Sequence, residues 1–391
     1  MKKLLSIIIA LAMMMTLTVV AFAADPVQGT ADNAVVAKYL KMAEGVTNPN
    51  ADFTFQATAV SDSANPGSTE KMPAGKTATI NSENMTASAA TDDGASVVGT
   101  VKITDLIDGN FDHAGVFEYT VKEVAGDADV ADGTMTYDDA EYTIRVYVKN
   151  GANGPEISGI TVEDEDGNKV DPTDPDPSDD KEDVTDGNKA AGCSFTNSYN
   201  KVLTNDGENG VLEFSKTVAG DYADLTQAFP FTLTLTIPEE AADFTEVSYT
   251  EAGTAKTAAV TGGKVTINAS LKNGEKLVIN TLPAGTTYKV EETLADGTVN
   301  NSGKYTPEVD FADVDTAANT KGTAGANLAV EGLVADTDTQ NTADYTNTYE
   351  DENTTPTGVI INNLPYIILA VVAVGGMVAY VAVKRRNKEE A

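Results

Sequence analysis

Apolar and polar positions alternate with a period of two in a series of short runs: FTFQATAV (53–60), VFEYTV (116–121), YTIRVYV (142–148), FPFTLTLTI (229–237), KLVIN (276–280) and YKVEE (288–292). Side chains alternate faces along a strand, so this pattern predicts strands with one face on a core. Turn signals such as DG, NG and PAG separate the runs. Many short strands with such punctuation predict β-sandwiches rather than βαβ units. The chain has room for two domains of ordinary size. The polar, glycine-bearing stretch NKVLTNDGENG (200–210) is the expected junction, with domains at 31–199 and 211–349. Residues 163–187 are rich in Asp, Glu and Pro and do not follow EF-hand spacing, which predicts a solvated loop.

The alternation also sets polar residues on apolar faces. In VLEFSKTV, Lys216 falls in line with Leu212, Phe214 and Val218. In TYKVEE, Glu292 lines up with Tyr288 and Val290, and in VFEYTVKE, Glu123 lines up with Phe117, Tyr119 and Val121. Asn197 sits between Phe195 and Tyr199 in SFTNSY (194–199), as Asn347 sits between Tyr345 and Tyr349 in DYTNTY (344–349). Lys38 shares a face with Val36, Leu40 and Met42 in VVAKYLKM, although that segment also holds good helix formers and Lys41 is a rival there. Each half thus carries Lys, Glu and Asn in that order at inward positions.

The two ends predict export and anchoring. Lys2 and Lys3, an apolar run and Ala21-Phe22-Ala23 form a secretory signal, residues 1–23. Near the other end an apolar span, 365–383, is followed by Lys384, Arg385 and Arg386, which the positive-inside rule keeps cytoplasmic. Ahead of it stands TTPTG, Thr354–Gly358. The order of PTG motif, apolar span and basic tail over 354–391 resembles a Gram-positive cell-wall sorting signal, which a sortase cuts between Thr and Gly. The resemblance assigns that cut to Thr357 and Gly358. The chain departs from the commoner form in lacking Leu and Pro at the first two positions of the motif.

From Lys38 to the PTG motif the chain resembles the two-domain backbone pilins of Gram-positive bacteria, the T-antigen type. Its most specific pieces are SKTVAG (215–220), the Y-x-V-x-E runs ending at Glu123 and Glu292, and the F/Y-T-N-x-Y strands. The resemblance selects the inward polar positions described above, and the alternation is consistent with it. It implies two tandem immunoglobulin-like (CnaB-type) β-sandwiches, each closed by a bond between a lysine amine and an asparagine carboxamide with loss of ammonia. It makes Lys38, Glu123 and Asn197 one triad, and Lys216, Glu292 and Asn347 the other, the glutamates promoting a single event per molecule. Burial suits this chemistry: it lowers a lysine pKa and frees the nucleophilic lone pair, and it raises a glutamate pKa so that a neutral carboxyl can donate to the amide oxygen and shuttle protons. A buried Lys–Glu ion pair with a hydrogen-bonded Asn is the alternative.

The same resemblance implies an intersubunit acceptor lysine seven residues before the asparagine of the first domain. Lys189, eight residues before Asn197, stands nearest, with Lys169 and Lys181 as competitors. The partners implied are a sortase, further copies of the chain in a head-to-tail covalent polymer, peptidoglycan and ancillary pilins, on a secreted, wall-attached product with a membrane-anchored precursor. A wall-anchored adhesin that is never polymerised remains the other reading.

Charge and rare residues narrow the picture further. The formal net charge is −34, and removing both terminal segments leaves −38 on Ala24–Thr357, because each carries two net positive charges. So acidic a chain repels nucleic acid. The single cysteine, Cys193, allows no intrachain disulfide and counts inward with Phe195. The single histidine, His113 in FDHAG, reads as a turn residue. No phosphate loop and no Cys/His metal cluster is present in the sequence, so neither enzyme turnover, metal nor cofactor is expected.

Overall fold

The computed structural model describes residues 28–87, 95–173, 193–204, 211–294, 297–313, 317–336 and 341–350. Lys181, Lys189, Thr357, Gly358, the leader and the 365–383 span lie outside the described residues.

The described chain is all β apart from short 3-10 turns. It forms two β-sandwiches in tandem. In the N-terminal half, two six-stranded sheets face one another. In the C-terminal half, a seven-stranded sheet faces a four-stranded one. The alternating runs occupy strands Asp52–Asp62, Gly115–Val124, Glu141–Gly151, Phe229–Thr236, Lys276–Ile279 and Thr287–Glu292. Phe117, Tyr119 and Val121 are buried, as are Phe229, Phe231, Leu233 and Leu235, while Glu118 turns outward to Arg145 at 2.8 Å. Inward residues of facing sheets make one core in each half.

The segment VVAKYLKM is a strand, Val35–Met42, despite its helix formers. It lies inside a sheet, antiparallel to Ala95–Lys102 on one side and parallel to Ser194–Asn200 on the other. Ladder bonding on both edges and burial of Val36, Leu40 and Met42 override the weak local helix propensity.

The strand that opens each half therefore lies directly beside the strand that closes it, in parallel. The second half repeats the arrangement with Leu212–Ala219 against Asn341–Tyr349. Parallel neighbours need a long connection, and here the whole sandwich is that connection.

The halves touch. Val202–Thr204, within the expected junction, pairs antiparallel with Thr281–Pro283 of the C-terminal half. The junction thus begins as an added strand. Lys201 Nζ lies 2.9 Å from Asp336 Oδ1, and the Asp336 N–H donates to the Gly45 carbonyl at 2.8 Å.

Candidate functional site

The inward positions of the opening and closing strands converge in each half. Across the parallel pair Lys38 stands opposite Phe195 and Leu40 opposite Asn197. In the second half Lys216 stands opposite Tyr345 and Val218 opposite Asn347. In both, the asparagine lies two residues beyond the lysine's partner, on the same face, as its diagonal neighbour. Each glutamate comes from the facing sheet: Glu123 from Gly115–Val124 and Glu292 from Thr287–Glu292.

In the N-terminal site, Lys38 Nζ donates to Glu123 Oε2 at 2.9 Å, and Asn197 Nδ2 donates to Glu123 Oε1 at 3.0 Å. One carboxyl group bridges amine and carboxamide through separate oxygens. Lys38 and Asn197 are 0% exposed. Lys41 is half-buried and points to the opposite face, so Lys38 is the lysine brought to Asn197.

In the C-terminal site, Lys216, Glu292 and Asn347 are all 0% exposed. Lys216 Nζ is 3.0 Å from Glu292 Oε1 but has no hydrogen-bond geometry to it. Asn347 Nδ2 donates to the same oxygen at 2.8 Å. Glu292 Oε2 and Asn347 Oδ1 are buried without partners.

Burial dominates the electrostatics. Desolvation brings both lysines down to about 8, against an opposing pull from the paired glutamates. Desolvation likewise raises Glu123 and Glu292, against the pull of the lysines. Both shifts move each pair toward a neutral amine and a neutral acid. Ionised charges removed from water are costly, whereas an amide product carries none.

Sequence reasoning missed two elements. Each lysine ammonium lies 4.7 Å from a phenylalanine ring centroid, Lys38 over Phe53 and Lys216 over Phe229. The duplicated F-x-F, in FTF (53–55) and FPF (229–231), is the signal that could have found them. The second is Asp138, whose N–H donates to Asn197 Oδ1 at 2.9 Å. Its context, TYDDAEYT, has no counterpart in the other half and gave no signal.

Asp138 also corrects an atom assignment. The sequence reading has a neutral glutamate donate to the amide oxygen. In the N-terminal site the oxygen accepts from a main-chain N–H, which can only donate, so the amide nitrogen must face Glu123.

The remaining candidates lie apart from these sites. Cys193 is buried beside the closing strand. His113 bends over Phe117 and its Nε2 lies 2.9 Å from Asp62 Oδ2, a contact that ties its loop to the end of strand Asp52–Asp62. Lys169 is exposed, in the short strand Lys169–Val170. In the described part of the acidic stretch, Asp164 accepts from the Asp166 and Asn168 N–H groups in a closed turn. Among the described residues no group of three or more metal-ligating side chains occurs.

Comparison with known proteins bears on these sites directly. Residues 35–200 match the family described as Spy0128-like isopeptide containing domain. Residues 210–349 match a domain of unknown function, DUF7601. A pilin of Streptococcus pyogenes serotype M1 is 28% identical over 348 residues, covering 87% of this chain and 86% of that one. The chain is thus similar to a Gram-positive pilin over most of its length, and to an isopeptide-containing domain over 35–200. A pilus tip adhesin, Cpa, of Streptococcus pyogenes is 37% identical over 98 residues, which span 25% of this chain and 14% of the adhesin. The crystal structure of the major pilin from Streptococcus pyogenes aligns at 23% identity and a TM-score of 0.30, covering 81% of this chain and 97% of that one.

Proposed function

We propose that this chain is a pilin, the backbone subunit of a covalently polymerised, wall-anchored pilus, and that each of its two domains, 31–199 and 211–349, closes itself with a Lys–Asn isopeptide bond. One observation carries the reading: in each half a fully buried lysine and a fully buried asparagine, on adjacent opening and closing strands, touch the carboxyl group of one buried glutamate. Such a lysine and carboxamide can form a bond without any oxidant or cofactor. The neutral Nζ attacks the asparagine Cγ, the carbon–Nδ2 bond breaks, and ammonia leaves. The glutamate accepts the proton shed by Nζ and delivers it to the departing nitrogen. In the N-terminal site its two oxygens already contact donor and recipient.

The closure would join the first and last strands of each domain, so that tension on the ends bypasses the interior. Polymerisation would then require a sortase cut between Thr357 and Gly358, with transfer of the threonine carbonyl to a lysine of the next subunit, Lys189, and finally to peptidoglycan. The local likeness to a tip adhesin is the observation behind a second reading, a wall-anchored adhesin that is not polymerised.

Intact mass tests the bonds. The Ala24–Thr357 chain should fall short of its sequence mass by two ammonia molecules, and Glu123→Ala or Glu292→Ala should each restore one. A wild-type chain of full sequence mass sinks the proposal. A ladder of high-mass species in wall extracts supports the backbone role, whereas one anchored band supports the adhesin reading.

A further inference from the structure

The two sites differ at the asparagine oxygen. Asn347 Oδ1 is buried with no partner, whereas Asn197 Oδ1 accepts from the Asp138 N–H at 2.9 Å. Asp138 lies where the chain crosses from strand Gly133–Thr136, beside the closing strand, to Glu141–Gly151 in the facing sheet. Its carboxylate fixes that crossing. Oδ2 accepts from the Thr196 N–H at 2.6 Å and Oδ1 from the Ala140 N–H at 2.9 Å. The closing strand thus donates to the Asp138 side chain one residue before Asp138 donates back to the Asn197 side chain. This reciprocal clasp sets one N–H on the amide oxygen before any reaction begins.

Attack at the asparagine Cγ moves negative charge onto Oδ1 in the tetrahedral intermediate. A donor that is already aimed at the oxygen stabilises that charge without reorganising. The clasp also fixes the amide so that its nitrogen, the leaving group, faces Glu123 Oε1. In the C-terminal site nothing among the described residues donates to the corresponding oxygen.

We propose that the Asp138 main-chain N–H is the oxyanion donor for the Asn197 reaction, and that the Asp138 carboxylate is the positioning group that holds it there. The N-terminal bond therefore has electrostatic help that the C-terminal bond lacks. This rests on the isopeptide reading above.

The test replaces residue 138 with its α-hydroxy acid, which keeps the side chain and exchanges only the N–H for an ester oxygen. Chains synthesised into denaturant and refolded by dilution are quenched at intervals, digested and weighed as N-terminal and C-terminal cross-linked peptides. The ester should slow the Asn197 bond by about a hundredfold, the usual effect of losing one oxyanion donor, while the Asn347 bond forms at its wild-type rate in the same molecules. Asp138→Ala, which keeps the N–H but loses the clasp, should slow the Asn197 bond to a smaller extent. An ester chain that closes at Asn197 at the wild-type rate overturns the assignment.

A second measurement does not depend on how the ester folds. In a Lys38→Met chain, which cannot react, the Asp138 amide should exchange slowly with solvent and lose that protection when Asn197→Ala is added. Equal exchange in the two chains also overturns the assignment. A wild-type chain that releases no ammonia defeats the underlying isopeptide reading instead, so the two failures are distinct.

Discussion

Lys216 and Asn347 occupy neighbouring parallel strands two register positions apart: Lys216 faces Tyr345, and Val218 faces Asn347. The offset recurs with Lys38 and Asn197. Its cause is the pleat. Residues two apart share a face, so the diagonal neighbour is the nearest place for a second long side chain on the core side. The aromatic opposite each lysine packs against the facing sheet, Phe195 on Phe55 at 5.3 Å and Tyr345 on Phe231 at 5.1 Å between ring centroids. These rings close the site to water on that side.

The pH dependence of bond formation should separate a shared-proton mechanism from a lone deprotonated lysine. The reactive pair, neutral amine plus neutral acid, holds the same proton count as the ion pair. The rate should therefore be flat between the two macroscopic pKa values of the pair. It should fall at the acid end, when both groups are protonated, and fall again as pH rises through about 8, where Lys38 and Lys216 lose the shared proton. Refolding across a pH series, with mass readout, checks this. A rate that keeps climbing above that point would remove the glutamate from the proton path.

Asn347→Ala should leave a folded but weakened domain. The bond would close a loop of 131 residues, the difference between positions 216 and 347. By analogy with disulfides its loss costs about 5 kcal/mol, an upper figure because the entropic model overstates many cases. The variant also keeps an unreacted buried pair, with a distinctive pH profile. Lys216 is lowered to about 8 when folded, so between about 8 and the ordinary lysine value of 10.5 the unfolded chain binds more protons. Stability from this group then rises with pH across that window. Glu292 is raised when folded, so its contribution falls as pH climbs from 4.5 through its folded value. Chemical denaturation should show a stability minimum between the two windows. Adding Lys216→Met and Glu292→Gln should flatten it, and a dip that survives in that chain would assign it elsewhere.

The strands and the inward faces were legible because period-two alternation is a local signal, and it lay in continuous runs such as FPFTLTLTI. The register was not legible. Nothing in SFTNSY reveals that Leu40, rather than Lys38, stands opposite Asn197; that depends on pairing across an entire domain. Phe53 and Phe229 were harder to read, since an apolar residue in an apolar run does not by itself show that it covers an ammonium; only the duplication of F-x-F in the two halves marks them. Asp138 was out of reach because its main-chain N–H does the contacting, and any residue other than proline supplies one.

Gly285 should prove to be a hinge contact between the halves. Its φ is +86°, and an added Cβ would lie 2.3 Å from Ala43 Cβ in the N-terminal half. Gly274 has φ of +80° with open space around it. Alanine at either site carries the left-handed penalty of roughly 1–2 kcal/mol. Only Gly285→Ala should also push the 43–47 loop away and raise the cleavage rate within 200–210 under limited proteolysis. Equal cleavage in the two variants would show that the loop contact does not hold the halves together.

The proposed acceptor lysine calls for the opposite environment from the two proposed buried nucleophiles. It must be solvent-exposed, so that a sortase can present the Thr357 carbonyl to it, and it must not be held in an internal pair. Lys38 and Lys216 are excluded because both are fully buried. Lys169 is exposed but sits in a short strand paired to Glu163. Lys189 lies outside the described residues, four positions before Cys193, where the chain re-enters the sheet as the closing strand. Joining Lys189 to the C-terminal threonine of another copy is a heterologous contact, which does not close and so propagates as a filament. Lys189→Ala should collapse the ladder of polymers in wall extracts to monomer, while the monomer still lacks two ammonia molecules. Lys169→Ala and Lys181→Ala should leave the ladder intact. A ladder that persists in Lys189→Ala, with peptides joining Thr357 to another lysine, would move the acceptor to that residue.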